Sequence, residues 1–301
     1  MARASIAVDL FNPGQVFACV GFLEAADLLL GDAAGGFDWT SEAGAQFELD
    51  ASGAESPVDA VLEFLIEARL ERLAPQGYAD PLPTKDQSKK KGSKEVVEDE
   101  ATESKGEDPV RLAATFPGAE ADRLTLPLRF ERNGQVLDVS HWCDASSRNS
   151  FKLFAGQQRS AVIARQMLAR LKNLWMERRE ELRKDPFGLM APLGGSTFKF
   201  DARKAWTPID AGYSPDKQTH GVEASPVVEM LAAIGLEHAR PHEFETREVR
   251  YGVWKGLLPP ALARPALGGS RVGVPIRIFR FTLELAGKNK IVTFAREETY
   301  P

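Results

Sequence analysis

Cysteine and histidine are scarce in this sequence, which has two cysteines, Cys19 and Cys143, and four histidines in 301 residues. Two widely separated cysteines cannot form a disulfide framework or a four-cysteine zinc site. We therefore expect both thiols to be packing residues in a reducing compartment. His238 and His242 have the spacing of two metal ligands on one helix, but Pro241 would break that helix. The sequence predicts no metal and no other cofactor.

Long apolar runs are also missing. No stretch reaches the roughly 20 apolar residues that a membrane span requires. The N-terminus lacks a basic segment followed by a long apolar one, so we expect no signal peptide. With 43% hydrophobic and 27% charged residues, the composition is typical of a soluble globular protein with a substantial core. We expect a cytoplasmic protein that does not contact a membrane.

Motifs that carry catalysis are absent from the sequence. It contains no G-x-x-x-x-G-K-[ST] phosphate-binding loop, no G-x-S-x-G motif and no H-E-x-x-H motif. Carboxylates are numerous, but no pattern pairs them. A chain with many polar residues and no assembled catalytic group is better explained as a binding or scaffold protein. We therefore predict that the protein is not an enzyme.

Charge is distributed unevenly along the chain. Residues 1–83 contain 3 basic and 14 acidic side chains, whereas residues 151–184 contain 9 basic and 3 acidic ones, within a net charge of −5. This asymmetry predicts two faces of different electrostatic character, one of them suited to a polyanion. The alternative is that the basic segment is a solvated helix with no ligand.

Three parts are predicted from composition. Residues 1–80 form an N-terminal acidic α/β part and residues 110–301 form an α+β body. Between them, residues 81–109 are almost devoid of large apolar side chains and dense in Lys, Glu, Ser and Asp. Such a segment cannot bury enough surface to offset its ordering entropy, so we expect a disordered charged loop that acts as a linker.

The predicted fold class is α+β, with antiparallel hairpins and several helices. Asn12 is a candidate N-cap for a helix that begins at Pro13, and Asn133-Gly134 is a strong hairpin signal. Apolar spacing predicts helices at residues 13–30, from Pro57 through Leu70, at 158–184 and at 225–236. Strands are predicted at residues 6–10, 47–49, 124–130, 136–142, 197–200, 247–254, 276–285 and 290–295.

The segment before the long helix 158–184 is the first candidate for contact with nucleic acid. Free amide groups and the positive end of the helix dipole at such an N-terminus favour a phosphate. The candidate side chains here are Lys152, Gln157, Gln158 and Arg159. The alternative is that Gly156 and the two glutamines only shape a turn.

Two further basic segments follow. Lys199, Arg203 and Lys204 accompany Phe198 and Phe200, and basic residues interleaved with aromatics suit a nucleic-acid surface. Alternation with a period of two explains the same two aromatics equally well as core residues. The third candidate is a hairpin tip with two cationic side chains, which is more often a solvated turn: Lys288 and Lys290.

Several segments resemble the subunits that accompany CRISPR type I-G (formerly I-U) effector genes. In those subunits an Asn-Pro-Gly followed by a helix of small residues recurs near the N-terminus, as in residues 8–26 here. The likeness covers most of the chain outside residues 81–109. It also extends to residues 151–156, 198–206, 210–215 and 224–236.

This resemblance implies a subunit of the crRNA-guided interference complex, Cascade, of the large-subunit kind. Such a protein contacts the short PAM duplex of target double-stranded DNA, while pairing with crRNA reads the sequence. The implied partners are crRNA, target DNA, the other Cascade subunits and a helicase-nuclease recruited in trans. Helix 158–184 would face DNA, and the acidic N-terminal part would pack on sibling subunits. Asn12 and Gln15 would contact a base or a phosphate.

Two alternatives remain open from the sequence. Many large subunits end in a helical bundle, whereas residues 245–297 here have the pattern of strands. The first alternative is therefore a ferredoxin-like subunit of the repeat-associated (RAMP) class, which grips crRNA in the backbone of the same complex. The second is a pure assembly scaffold or an enzyme with an unrecognised site.

Overall fold

The computed structural model describes residues 1–40, 44–78, 109–113, 125–143, 149–154, 158–192, 197–204, 223–286 and 289–299. Its helices and its mostly antiparallel sheets confirm the predicted α+β class. The predicted linker at 81–109 lies outside the described residues, except for Pro109.

The first 67 residues form a β-α-β-β-α unit. It consists of β1 (Ala2–Ala7), α1 (Pro13–Leu30), β2 (Ala34–Asp38), β3 (Gln46–Ala51) and α2 (Pro57–Glu67). The three strands form an antiparallel sheet in the order β1-β3-β2. β1 begins and ends earlier than the predicted strand at residues 6–10.

Local capping signals correctly predicted the helix starts. The Asn12 side chain accepts a hydrogen bond from the Gly14 amide, and Pro13 opens α1. Ser56 and Ser225 cap the two other helices that begin with proline after a serine. A proline at the first helical position costs nothing because its missing amide hydrogen would have had no intrahelical partner.

A second sheet has the order β5-β4-β6-β7. Its strands are β4 (Arg69–Pro75), β5 (Val110–Leu112), β6 (Leu128–Arg132) and β7 (Gln135–Val139). The predicted hairpin between β6 and β7 is confirmed, with Asn133 and Gly134 both at positive φ. Leu70 was wrongly predicted to be helical, because the chain leaves α2 at Ala68 and continues directly into β4.

Helix α3 (Ser160–Lys184) follows, but it is not one uninterrupted basic helix because Arg178 has non-helical φ and ψ. After it come two short strands, β8 (Ala191–Pro192) and β9 (Glu223–Ala224). The predicted strand at 197–200 is wrong: this segment has no regular structure, and a short 3-10 turn follows at Ala202–Lys204. Phe198 and Phe200 are buried, so the core interpretation of these aromatics holds.

The C-terminal part contains helices α4 (Pro226–His238) and α5 (Pro260–Leu267) and a sheet. Its strands are β10 (His242–Glu245), β11 (Glu248–Trp254), β12 (Ile276–Ala286), β13 (Asn289–Val292) and β14 (Arg296–Glu297). The order is β10-β11-β12-β13, and β14 also pairs with β12.

Helices α1 and α4 pack closely against each other. Gly21 of α1 faces the Leu231 carbonyl, and Gly235 of α4 faces the Phe17 carbonyl, so closely that an added methyl group would overlap each oxygen. By length and composition α1 could cross a membrane, but 78% of it is buried inside this protein. Its apolar surface is therefore occupied by the core, which includes buried residues from both sides of the 81–109 segment.

Candidate nucleic-acid interface

Two distant parts of the chain accept backbone hydrogen bonds from residues 292–295, at the end of β13 and just after it. The Val292 amide donates to the Lys199 carbonyl at 3.3 Å, and the Ala295 amide donates to the Phe11 carbonyl at 2.7 Å. Segments that are almost 200 residues apart in sequence therefore lie side by side. We call Phe11, Lys199 and residues 290–295, with the side chains that contact them, the β13 edge surface.

Two exposed aromatic side chains mark this surface. Phe11 is 45% exposed and Phe294 is 52% exposed. Phe11 meets the buried ring of Phe279 edge-on, with centroids 5.4 Å apart and an interplanar angle of 84°. The core thus holds the Phe11 ring from one side and leaves part of it open to solvent. Exposed aromatic surface beside cations can stack on unpaired bases.

Cationic side chains lie at the same edge. Lys290 donates through Nζ to the Asn149 carbonyl at 3.1 Å, which brings the segment before α3 to the β12–β13 hairpin. Lys152 is half-buried, with its ammonium group 5.9 Å from the centre of the Phe154 ring. Together with half-buried Lys199, these contacts gather lysines from all three basic segments that the sequence singled out.

A buried polar network beneath the surface holds the segment at 199–203. Asn12 donates through Nδ2 to Asp201 at 2.9 Å and accepts from the Ala202 amide at 3.2 Å. Asp201 also accepts from the Ser225 amide at 3.0 Å, directly before α4. The start of α1, the 3-10 turn and the start of α4 are therefore joined by one amide and one carboxylate.

Glu229 supports the same segment from α4. Its fully buried carboxylate accepts hydrogen bonds from the Lys199 amide at 2.8 Å and the Asp201 amide at 3.0 Å. Lys199 has a φ of +67°, a backbone conformation that residues other than glycine rarely adopt. The carboxylate holds the backbone in this conformation, in which the Lys199 carbonyl accepts from the Val292 amide.

Arg203 is engaged inside this network. Its guanidinium lies 2.7 Å from the Asp201 carboxylate and is only 23% exposed. Burial alone would raise the pKa of Asp201, but the hydrogen bonds and charge of Arg203, together with hydrogen bonds from Ser225 and Asn12, outweigh it and lower that pKa. Arg203 was predicted to hold nucleic acid; in the structure its charge stabilises a buried carboxylate.

Asn12 and Gln15 do not reach the surface either. Asn12 is fully buried and Gln15 is 6% exposed. Gln15 Oε1 accepts from the Asp9 amide at 2.7 Å, which closes the turn before α1. A buried side chain cannot touch a base or a phosphate, so the expectation that these two residues contact nucleic acid is wrong.

Much of the basic character of α3 is neutralised within the chain. Arg183 forms an ion pair with Asp59 of α2, and Arg179 pairs with Glu63 at 2.7 Å. Arg178 pairs with Glu181 on α3 itself. The acidic N-terminal part and the basic helix were expected to face different partners, but here their charges face each other.

The start of α3 carries two further residues that were predicted to bind nucleic acid. Arg159 is the residue before the helix and is exposed, while Gln158 is half-buried. Gln157, Lys288 and the side chain of Lys204, also predicted to bind nucleic acid, lie outside the described residues. Among the described residues no group of three or more His, Cys, Asp or Glu side chains could hold a metal ion.

Phe11 and Phe294 were missed by reasoning from sequence. Phe11 directly precedes the N-cap of α1, and Phe294 closely follows β13, so each lies where a regular pattern ends. At such positions the apolar periodicity of the sequence does not indicate whether a side chain faces the core or the solvent. The Ala295–Phe11 hydrogen bond, which has no local sequence signal, brings the backbone of Phe11 next to the residue that follows Phe294.

Searches of protein-family models, curated proteins and solved structures found no match to this chain.

Proposed function

We propose that this protein is a non-catalytic, nucleic-acid-contacting subunit of a type I-G Cascade complex in the cytoplasm. In this role it contacts the PAM region of target DNA and its sibling subunits, next to crRNA and a helicase-nuclease recruited in trans. The observation that carries the proposal is the β13 edge surface, where exposed Phe11 and Phe294 lie with lysines from three separate segments.

Physical chemistry explains why this combination suits nucleic acid. Lysines neutralise phosphates and release counterions, which supplies affinity without sequence preference. Exposed aromatic rings stack on bases that have left the duplex, and every base offers a stacking face. A subunit beside an opening duplex needs both properties, because crRNA pairing supplies the sequence reading.

A second candidate within the same complex is the crRNA-gripping RAMP role. The β1-α1-β2-β3-α2 order with its β1-β3-β2 sheet is the beginning of a ferredoxin-like split βαβ motif. The fourth strand of that motif would lie beside β1, but β4 pairs with β6 instead. Because one fold can host many functions, the RAMP role has to be tested on the bound ligand.

The test is co-expression of the tagged protein with its neighbouring genes and a CRISPR array. A discrete complex that contains crRNA and this chain is expected. Within that complex, loss of PAM-duplex binding upon removal of this subunit supports the large-subunit role, whereas loss of crRNA retention supports the RAMP role. A complex that assembles and binds its target equally well without the chain would refute both.

Variants at the β13 edge surface test whether this surface itself binds nucleic acid. Lys152→Ala with Lys199→Ala should weaken nucleic-acid binding and lower its salt dependence, by about 0.7 to 0.9 in slope for each phosphate that the protein no longer neutralises. Arg3→Ala with Arg69→Ala is the matched control, since it removes two charges from side chains that are 64% and 67% exposed on other sheets. Equal salt slopes for both pairs would show that the β13 edge surface does not bind phosphate.

A further inference from the structure

Strand β1 lies at one edge of the N-terminal sheet, whose order is β1-β3-β2. Its six residues pair with β3 without a register shift, and in the next pair of the same ladder the Val8 amide donates to the Ala45 carbonyl at 3.0 Å. In an antiparallel ladder, hydrogen-bonded pairs alternate with non-hydrogen-bonded pairs, so every second residue back from Val8 bonds to β3. The backbone amides and carbonyls of Arg3, Ser5 and Ala7 therefore point the other way, out of the edge of the sheet.

The opposite edge of the same sheet is closed by the chain itself. Gly35 of β2 also directs its amide and carbonyl outwards, and it exchanges both hydrogen bonds with Leu258 at 2.9 Å. At the β1 edge, no backbone hydrogen bond from the described part of the chain engages the outward groups of Arg3, Ser5 or Ala7. All three residues are exposed, so this edge is open to a further strand.

β1 lacks the features that usually keep an edge strand from pairing with another chain. Natural proteins protect such strands with proline, lysine or a bulge. The edge strand β10 of the C-terminal sheet has a register shift between Glu243 and Glu245 and carries both glutamates. β1 has the sequence Ala-Arg-Ala-Ser-Ile-Ala, with one charged residue, no proline and no bulge. Its regular backbone and mostly small side chains suit the addition of a strand.

Opposite charges lie next to this edge, on the outer face of the sheet. Arg3 donates through Nε and Nη2 to the Asp50 carboxylate of β3, at 2.7 Å each, yet its side chain is still 64% exposed. Two residues further along β1, the Ser5 hydroxyl donates to the Glu48 carboxylate at 2.8 Å. A two-fold rotation about an axis between these two positions brings the cation of one copy towards the carboxylate of the other. The edge is therefore complementary to itself, as the contact of a symmetric dimer requires.

We propose that β1 pairs in antiparallel orientation with β1 of a second copy of this chain, so that two three-stranded sheets become one continuous sheet. The two-fold axis passes beside Ala4, which sets Arg3 opposite Ser5 of the second copy and Ala2 opposite Ile6. Opposite residues share a face of the sheet, so the alanines and Ile6 meet on the core side and the charges stay on the outer side. Each Arg3–Ser5 pair exchanges two backbone hydrogen bonds, about four in total, through the groups that point out of the edge.

The charges of the outer face favour this alignment. Arg3 of each copy lies beside Ser5 of the other, with Glu48 one strand further, so no like charges are adjacent across the contact. The two Glu48 side chains are at least three strand spacings apart, about 14 Å, and the two Asp38 side chains of β2 are five spacings apart, about 24 Å. Both separations exceed the Debye length of about 8 Å at physiological salt. An alignment shifted by two residues would set Arg3 beside Ala7 and lose the contact between cation and carboxylate.

Sedimentation of the purified full-length chain, from about 1 µM to about 100 µM, tests the dimer. The mean mass of the wild type is expected to rise with concentration towards twice that of the monomer. Ser5→Pro removes an amide hydrogen that points out of the edge and keeps every hydrogen bond to β3, so this variant should remain a monomer. Ser5→Ala is the matched control, because it loses the same hydroxyl, keeps the amide and should dimerise like the wild type. A Ser5→Pro variant with the circular dichroism of the wild type that still dimerises would overturn the inference.

Cysteine variants test the alignment with the rest of β1 unchanged. Opposite residues of a non-hydrogen-bonded pair have Cα atoms about 4.5 Å apart, within the range of a disulfide, so Ala4→Cys should link two copies under mild oxidation. In the same alignment the two Ser5 residues are diagonal neighbours about 7 to 8 Å apart, so Ser5→Cys should not link them. The wild type, with Cys19 and Cys143, gives the background. Equal cross-linking of both variants would refute the alignment.

Two further results would also contradict self-pairing. The first is a wild type that stays monomeric over the whole concentration range, with no cross-link from Ala4→Cys. The second is a monomer whose Ser5→Pro variant is lost from the co-expressed complex, because the edge would then bind a strand of another subunit. Sedimentation and cross-linking use the purified chain alone, so their outcome is independent of the proposed role in Cascade.

Discussion

The Asn12 side chain donates a hydrogen bond to the Asp201 carboxylate at 2.9 Å, across 189 residues of sequence. The same amide caps α1 and accepts from the Ala202 amide. One buried side chain therefore starts a helix and attaches the segment that carries Lys199 to it. Stability and the geometry of the β13 edge surface depend on the same hydrogen bond.

Asn12→Ala should lower the free energy of unfolding by about 3 kcal/mol. The substitution removes an N-cap, worth about 1 kcal/mol, and leaves the buried Asp201 carboxylate short of a donor, which costs about 1 to 3 kcal/mol more. Urea denaturation followed by circular dichroism measures the change. Asn173→Ala, at an exposed position of α3, is the control and should change stability by less than about 0.5 kcal/mol. An effect of Asn12→Ala as small as that of the control would contradict the assigned role.

Gly21→Ala should destabilise the protein by about 2 kcal/mol, although alanine is the better helix former by about 1 kcal/mol. The added methyl group would overlap the Leu231 carbonyl and force α1 and α4 apart. Thermal unfolding of the variant measures the effect. Gly268→Ala is the comparison, because its added methyl group would meet nothing closer than 3.4 Å. An unchanged melting temperature for Gly21→Ala would show that the two helices can separate without cost.

His141 should make the protein less stable in acid. Burial, with a contribution from Arg240, lowers the pKa of its ring to about 3. In the unfolded chain the ring takes up a proton below about pH 6.5, whereas in the folded chain it stays neutral to about pH 3, so stability falls as the pH drops through this range. The decline approaches about 1.4 kcal/mol per pH unit.

His141→Phe removes this proton uptake, and its unfolding free energy should decline less steeply than that of the wild type between about pH 6.5 and about pH 4. The aromatic replacement retains packing against Trp142, whose ring centre lies 4.7 Å from that of His141. His242→Asn, at an exposed histidine, serves as the control. Parallel pH profiles for His141→Phe and the wild type would show that the His141 ring takes up its proton in the folded state as readily as in the unfolded state.

Phe294→Ala should weaken binding of single-stranded nucleic acid by about 1 to 3 kcal/mol, the range for one stacked base, and leave its salt slope unchanged. Stacking involves no counterion, which separates this effect from that of the lysine variants. Fluorescence anisotropy with unpaired oligonucleotides provides the measurement. Met176→Ala is the control, since it removes an apolar side chain that is 66% exposed on α3. If both substitutions have the same effect, Phe294 does not stack on bases.

The helix starts and the tight hairpin could be predicted from the sequence because their physical causes are local. An Asn-Pro or Ser-Pro step predisposes the next residues to a helix through a side-chain cap and a fixed φ, and Asn133-Gly134 accepts the positive φ of a tight hairpin without help from the rest of the chain. The α+β class follows from the same signals. Predictions at 197–200 and at Leu70 were wrong because alternation or apolar spacing there records burial in the core and not a particular backbone conformation.

Tertiary contacts alone determine which polar residues reach solvent. Asn12, Gln15 and Arg203 have the side chains of a binding site, yet their hydrogen-bonding groups serve partners inside the protein. In the sequence Arg179 and Arg183 resemble an exposed basic stripe, but in the structure they form ion pairs with carboxylates of α2. Conversely, only strand register sets Arg250, Arg280 and Arg296 of the C-terminal sheet side by side. Composition and spacing describe one stretch of chain at a time, whereas burial, ion pairing and register are properties of two stretches brought together.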